Sequence, residues 1–582
     1  MKTKSIVSKL TAFTLAGGLA FSSLTSSILL PSCKKQSIDQ SSLLEQKVLR
    51  IGISSEPDTL DPQLATGSNA RQVFKGIYEG LVVEEPKNLR DPTTNQPLPG
   101  LAKSWEISPD GLTYTFHLRE NLVWSDGAPI TAETFIESFK RLLSPQLAAP
   151  NRTILYDVVG AKEYAESASI DDNNADNYTQ PDFTKVGVTK KDGDNLTLQI
   201  KLTHPATYFL DLVANQYALD PVPIHIIKKH GDINSRTNSW AKKAPVVSDG
   251  PFAVKTWKRS NRIVADKSQT YWDRDSVALE RVVFLAMTDA QTEETNFRTH
   301  SLDITSTLPL SKIGVYRKEH PQSLSIGPYA SKYFYRVNVN DAKNPALKNP
   351  LVRQALSLAI DRDAITQQLL GAGQVSTTTL TYDNLDGYIS KSQTPLPFDE
   401  SVKKAQILLA KAGYENGCGI SAIELSYNST SSNGLIAEAV QQMWRKNLGI
   451  KVNLQQKETT VHIADQASGD YEIARYGWTV DFPSNLSSFQ ILTSANPNNQ
   501  TGWKNAEYDR LYQVACEAKT VYERNAAFDK LDAIEQAEVP ILLIYDMSQM
   551  RAIDARIYGF YQNATDSHPL KFVGFCPGSR PE

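Results

Sequence analysis

The stretch RYGWTVDFPS, Arg475 to Ser484, sets one carboxylate, Asp481, among Tyr476, Trp478, Val480 and Phe482. If the chain from Ile473 is extended, side chains alternate, so Arg475, Gly477, Thr479 and Asp481 share one face and the four apolar residues share the other. One face is then core, and the other carries a cation and an anion. At about 3.3 Å per residue the two charges lie roughly 20 Å apart along an ideal strand, too far to pair, although a bulge at Gly477 would change that separation. The plain reading is that Asp481 caps the turn before Pro483 and Arg475 is a solvated strand residue. Catalytic constellations are missing elsewhere: there is no HExxH, P-loop or GxSxG, and the closest spaced of the candidate histidines, His225 and His230, are five apart, poor spacing for one helix face.

The elements that must hold these residues follow from periodicity. Val48 and Leu49 lead into Ile51 and Ile53 as a strand, SEPDTLDP is turn chemistry, and Val73, Ile77 and Leu81 mark a helix face. Leu112, Tyr114, Phe116 and Leu118 alternate strictly with polar residues, the pattern of a half-buried strand. Thr131 is placed to cap a helix running to Leu143, with Thr134 where a capping box wants an acid. VRQALSLAIDRDAITQQLL reads as one long amphipathic helix, and GLIAEAVQQMWRKNLGIKVNLQQ as a helix ended by Gly449 and followed by a strand. Helix followed by strand indicates α/β character.

The 582 residues are 41% hydrophobic and 21% charged, enough for at least two cores, and a net charge of -3 without a basic run argues against a nucleic-acid partner. Lys2, Lys4 and Lys9 precede an apolar, small-residue run ending at Cys33, a secretory signal over residues 1–32; the serines within it leave it short of a spanning helix. Leu30-Pro31-Ser32-Cys33 resembles a lipobox, which implies lipid attachment at Cys33; ordinary cleavage is the alternative, because Pro31 departs from that pattern. Cys418, Cys516 and Cys576 are scattered, so one bridge among them is conceivable but no disulfide framework or CxxC pair is.

Several phrases together resemble the extracytoplasmic solute-binding proteins of the oligopeptide/dipeptide-binding group, which serve ABC importers. They are SEPDTLDP at Ser55, LAKSWEISPDGLTYTFHLRENLVWSDGAPITAETF at Leu101, VVSDGPFAVKTW at Val246 with YWD at Tyr271, NPLVRQALSLAIDRDAI at Asn349 and ARYGWTVDFPS at Ala474. The Leu101 block is the most specific. The resemblance implies an α/β fold of two lobes joined by crossing strands, with a domain inserted in the N-terminal lobe. It divides the chain into a linker at 33–46, lobe I at 47–78, 200–331 and 545–582, an inserted domain at 79–199, and lobe II at 332–544.

By the same resemblance Asp481 is the aspartate that meets a peptide's α-ammonium, which is cationic at neutral pH. Gly477 and Thr479 offer backbone groups, Trp478 forms wall or core, and Arg475 meets a ligand carboxylate or acidic side chain. The family's ligand-contacting acid falls at Thr66 and its backbone-contacting neighbour at Ser68, so the first lobe contributes less negative charge here. A pocket Tyr falls at Asn151, and a pocket Trp and Arg fall at Thr459 and Gln466; among Tyr333, Phe334 and Tyr335 at least one is core, and the others are candidates to replace the aromatic surface. The implied function is a monomeric, lipid-anchored peptide receptor, periplasmic or, in a single-membraned cell, on the outer face of the cytoplasmic membrane, that hands its ligand to importer permease subunits, without enzymatic activity, cofactor or metal. A murein-derived peptide, oligosaccharide, metal chelate or haem is the alternative cargo. His462, the one histidine near the proposed cleft segments, is read as a surface residue rather than a nickel ligand.

Overall fold

The computed structural model describes residues 47–85, 97–167, 182–340, 343–383, 385, 388–391, 396–429 and 432–576; the signal segment, Cys33 and the linker lie outside them. The architecture is α/β and two-lobed. In the first lobe Val48–Gly52 pairs in parallel with Arg281–Leu285, which continues antiparallel through Arg262–Lys267 to Phe252–Lys258. A separate four-stranded antiparallel sheet is built from Ala102–Ile107, Thr113–Leu118, Thr197–Lys201 and Val188–Lys190. Tyr114, Phe116 and Leu118 point into its core as the alternation requires.

The other lobe holds a six-stranded sheet, and two of its strands are long. Leu324–Val337 and Ile541–Ala552 run antiparallel from Leu324 opposite Ala552 to Arg336 opposite Ile541, with register irregularities between Pro328 and Lys332 and between Tyr333 and Phe334. Each irregularity adds local twist where the ladder passes between lobes. Isolated bridges from Ile51 to Ile304 and from Ile304 to Ile553 continue the backbone pairing into the first-lobe sheet.

Local chemistry explains several helix ends. The Thr131 N–H donates to Thr134 Oγ1 at 3.1 Å, so threonine replaces the acid of a capping box. Gly449 adopts φ 71 and closes Asn433–Leu448, after which Val452–Lys457 is a strand. The segment read as one long helix is instead two: Pro350–Leu358 stops, and Ala364–Leu370 begins afresh because Asp361 Oδ1 accepts the Ala364 N–H at 2.9 Å. Cys418 and Cys516 are not joined in a disulfide.

Asp249 is 4% exposed and its carboxylate meets no side-chain donor or cation among the described residues. Burial, then the nearby charges of Asp220 and Glu79, push its pKa well above the usual range. A raised folded-state pKa means that stability is fully present below the unfolded value near 4 and is lost as pH rises through the folded value. Asp249→Asn removes that loss. It is expected to raise stability at pH 8 by about 1–3 kcal/mol and to flatten the pH dependence, as read by thermal unfolding at pH 5 and pH 8. A variant less stable than wild type at pH 8 would contradict this.

Candidate interlobe binding site

The strand Ile473–Thr479 pairs along its length with Ser331–Val337, which places Arg475, Gly477 and Thr479 opposite Tyr335, Tyr333 and Ser331 on one face. Tyr476 and Trp478 lie on the other, Tyr476 packing against Phe334 and Trp478 donating its indole N–H to Ser487 O at 2.9 Å. Trp478 is therefore half-buried and fixed by the following helix, Asn485–Phe489. Period-two alternation was sufficient for this face assignment.

The strand's other edge matters more. Ile423–Asn428 pairs with it only at Ile473 and Ala474, and beyond Ala474 no described strand covers that edge. The Val480 N–H donates to Ala330 O at 2.9 Å, which turns the backbone groups of the even-numbered residues toward Ala330–Val337. Backbone groups of Arg475, Gly477 and Thr479 consequently face the open edge. His462 Nε2 occupies one of them, Arg475 O, at 2.8 Å, and is itself buried, which corrects its reading as a surface residue. Gly477 sits in a close-packed position: a Cβ there would stand 3.0 Å from Lys332 O and 3.3 Å from Met547 Cε.

Asp481 follows the strand end and is pinned by its main chain. Its N–H donates to Ser487 Oγ at 2.7 Å, and its carbonyl accepts from Gln216 Nε2, a residue of the first lobe. Phe482, the next residue, stacks on Tyr208 with centroids 4.9 Å apart, which adds a second long-range contact beside the carboxylate. The carboxylate itself accepts no hydrogen bond and forms no ion pair with a described residue. Burial raises its pKa to about 6, with Arg71 the one charge pulling the other way. It is a partly desolvated anion without a counter-ion in contact.

Arg475 lies with its guanidinium carbon 4.7 Å from the Tyr333 ring centroid, and Tyr333 in turn stacks on Tyr545 at 4.8 Å. Its Nε is buried without an acceptor, so it is not a freely solvated strand residue. Tyr333, Phe334 and Tyr335 are all buried and supply no open aromatic surface, a correction to their reading as replacement walls. Gln466 is buried too, accepting from Arg336 Nη1 at 3.0 Å and donating to His462 O at 3.2 Å.

The facing segment of the first lobe is set by Asp61, whose carboxylate is gripped by Arg141 Nη2 at 2.7 Å and by the Trp240 indole at 3.0 Å. That buried pair fixes the turn leading to Thr66, which is exposed, and to Ser68, the first residue of the helix Ser68–Ile77. Ala65 O accepts from the Tyr217 hydroxyl at 3.3 Å, and Asn151 lies against the same hydroxyl. Arg71, Gln216 and Tyr217 therefore belong to this wall, although nothing in their local sequence pattern marked them.

Residues 96–500 match bacterial extracellular solute-binding proteins, family 5, middle region. The chain belongs to this family. Across 520 residues, 89% of this chain and 91% of the relative, it is 31% identical to a probable deoxycholate-binding periplasmic protein of Escherichia coli (strain K12). It is 29% identical over 523 residues, 89% of this chain and 90% of the relative, to a periplasmic oligopeptide-binding protein of Salmonella typhimurium. Among solved structures, the Escherichia coli murein tripeptide binding protein superposes with a TM-score of 0.77 at 28% identity, covering 91% of this chain and 99% of its own. Members of family 5 are solute-binding proteins.

Proposed function

We propose that the protein is the substrate-binding component of an ABC importer, taking oligopeptides into the interlobe cleft for delivery to the permease. The observation that carries this reading is the juxtaposition of an uncovered strand edge, Gly477 to Thr479, with the carboxylate of Asp481, which has no counter-ion in contact. An extended peptide adds to such an edge through main-chain hydrogen bonds, a mode indifferent to side-chain identity. Gly477 and Thr479 are the groups that pair with it, Trp478 backs the strand, and Thr66 and Ser68 bring up the first-lobe side. Asp481 neutralises the peptide's ammonium, whose transfer into a cleft would otherwise cost several kcal/mol. Arg475 serves a ligand carboxylate or acidic side chain farther along.

Two relatives named for peptide ligands, the oligopeptide- and murein tripeptide-binding proteins, support the same reading. The receptor acts outside the cytoplasm as a monomer, held to the membrane through lipid on Cys33, with no catalysis of its own and no requirement for metal, cofactor or nucleic acid. The periplasmic relatives support the extracytoplasmic placement.

Calorimetric titration with a mixed-sequence tripeptide and its N-acetylated form tests the proposal. The free peptide is expected to bind on the order of a hundredfold more tightly than the blocked one. Its affinity should be bell-shaped in pH. It falls below about 6, as the Asp481 carboxylate takes up a proton, and falls again above roughly 8 as the ammonium loses one. The sign agrees with stability: a pKa raised to about 6 means the unliganded arrangement is favoured at low pH and loses that advantage as pH rises through about 6. Equal affinity for the acetylated peptide would contradict the assignment.

A further inference from the structure

We propose that Arg71 forms an anion subsite facing Asp481 across the cleft, so that the receptor prefers peptides with a carboxylate side chain at the amino-terminal residue. The proposal rests on the peptide reading above and specifies which peptides it favours. Arg71 projects from the helix Ser68–Ile77, whose Val73, Phe74 and Ile77 are buried in the first-lobe core. Its Nη1 is tied to Thr565 O at 2.9 Å, and its guanidinium carbon lies 6.0 Å from the centre of the Tyr217 ring. Its Nε is buried and has no acceptor. Tyr217 directly follows Gln216, which holds Asp481 O, so Arg71 and Asp481 flank the same stretch of first-lobe wall.

The two charges feel one another but do not touch. No ion pair joins them, and the Asp481 carboxylate is raised by burial more than the arginine lowers it. Thr66, Asn151 and Tyr217 here are uncharged, and Asp566, next to the Thr565 carbonyl that holds Arg71, is already paired with Arg551 at 2.6 Å, which leaves Arg71 as the charge at this wall without an ion-pair partner in contact among the described residues. A cation and an anion held apart on opposite walls are complementary to a ligand head that is itself a dipole. An amino-terminal glutamate or aspartate has that form: its ammonium meets Asp481, and its side-chain carboxylate reaches a guanidinium already anchored by one hydrogen bond. Arginine presents paired donors to a carboxylate, and an anchored guanidinium loses little further freedom when it binds. A lysine in the same position would set like charges together, which discriminates by repulsion as well as by lost attraction.

The experiment is calorimetric titration of the ligand-stripped mature protein with three tripeptides that differ only in beginning with glutamate, glutamine or lysine. Wild type is expected to bind the glutamate peptide about tenfold or more tightly than the glutamine peptide, with the lysine peptide weakest. Arg71→Met should abolish the glutamate preference, bringing the ratio of glutamate to glutamine affinity to about one whatever the absolute affinities, and Arg71→Lys should retain part of the preference. Thermal unfolding of each variant confirms folding, and the wild-type comparison decides the matter even if Arg71→Met fails to fold. Equal wild-type affinities for glutamate and glutamine, or a preference that survives in Arg71→Met, would overturn the subsite and leave the peptide receptor standing. Binding of none of the three peptides by a cooperatively folded protein would overturn both.

Discussion

Asp481→Asn is expected to weaken binding of an unblocked tripeptide on the order of a hundredfold or more, the equivalent of about 3 kcal/mol. The amide keeps the size and shape of the carboxylate, and the contacts that position the residue are made by its main chain, to Ser487 and Gln216. What is lost is the charge. A ligand ammonium brought into the closed cleft would then be desolvated without a counter-ion, and Arg71 nearby would make matters worse. An N-acetylated peptide carries no such ammonium, so its affinity should barely change between wild type and Asp481→Asn. The double-mutant cycle built from the four affinities isolates the amine–carboxylate coupling. Equal losses for free and acetylated peptides would show that Asp481 shapes the loop and does not read the amine.

The second large effect concerns the strands that join the lobes. Lys332 is 0% exposed and forms an ion pair with Asp546, its direct partner on the neighbouring crossing strand. Its Nζ also donates to Thr381 O at 2.6 Å and lies 4.2 Å from the centre of the Tyr382 ring. Burial already raises the Asp546 pKa, and Lys332 is the principal group opposing that rise. Lys332→Met should therefore destabilise the protein by about 2–3 kcal/mol, because it leaves a half-buried carboxylate without its cation. Lys332→Met/Asp546→Leu, with both charges gone, should recover most of the loss. Urea denaturation of the two variants checks this; a single mutant as stable as the double would mean that the pair contributes little.

The sequence was most informative where side chains repeat along a strand. Period two separated Arg475, Gly477 and Thr479 from Tyr476 and Trp478, and the pairing with Ser331–Tyr335 keeps that separation. Local patterning says nothing of what packs on either face from far away in the chain. Arg475 looked solvated because its partner, Tyr333, belongs to another strand. His462 looked exposed because the carbonyl that binds it is that of Arg475, on a different element. The first-lobe wall was invisible for the same reason: Arg71 and Tyr217 are an ordinary helix cation and an ordinary aromatic until the fold sets them beside Gln216 and Asp481. The break after Leu358 is a different case. Asp361 was available as a cap signal, but the apolar period on both sides carried the helix reading through it.

The most direct test of the account is mass spectrometry of the small molecules released when the mature wild-type protein and Asp481→Ala, purified from the same host, are denatured. The account predicts peptides of mixed sequence and narrow length from wild type, enriched in amino-terminal acidic residues, and their loss from Asp481→Ala. A single non-peptide species, or the same peptides retained equally by both proteins, would leave the two-lobed fold intact and contradict the site built on Asp481.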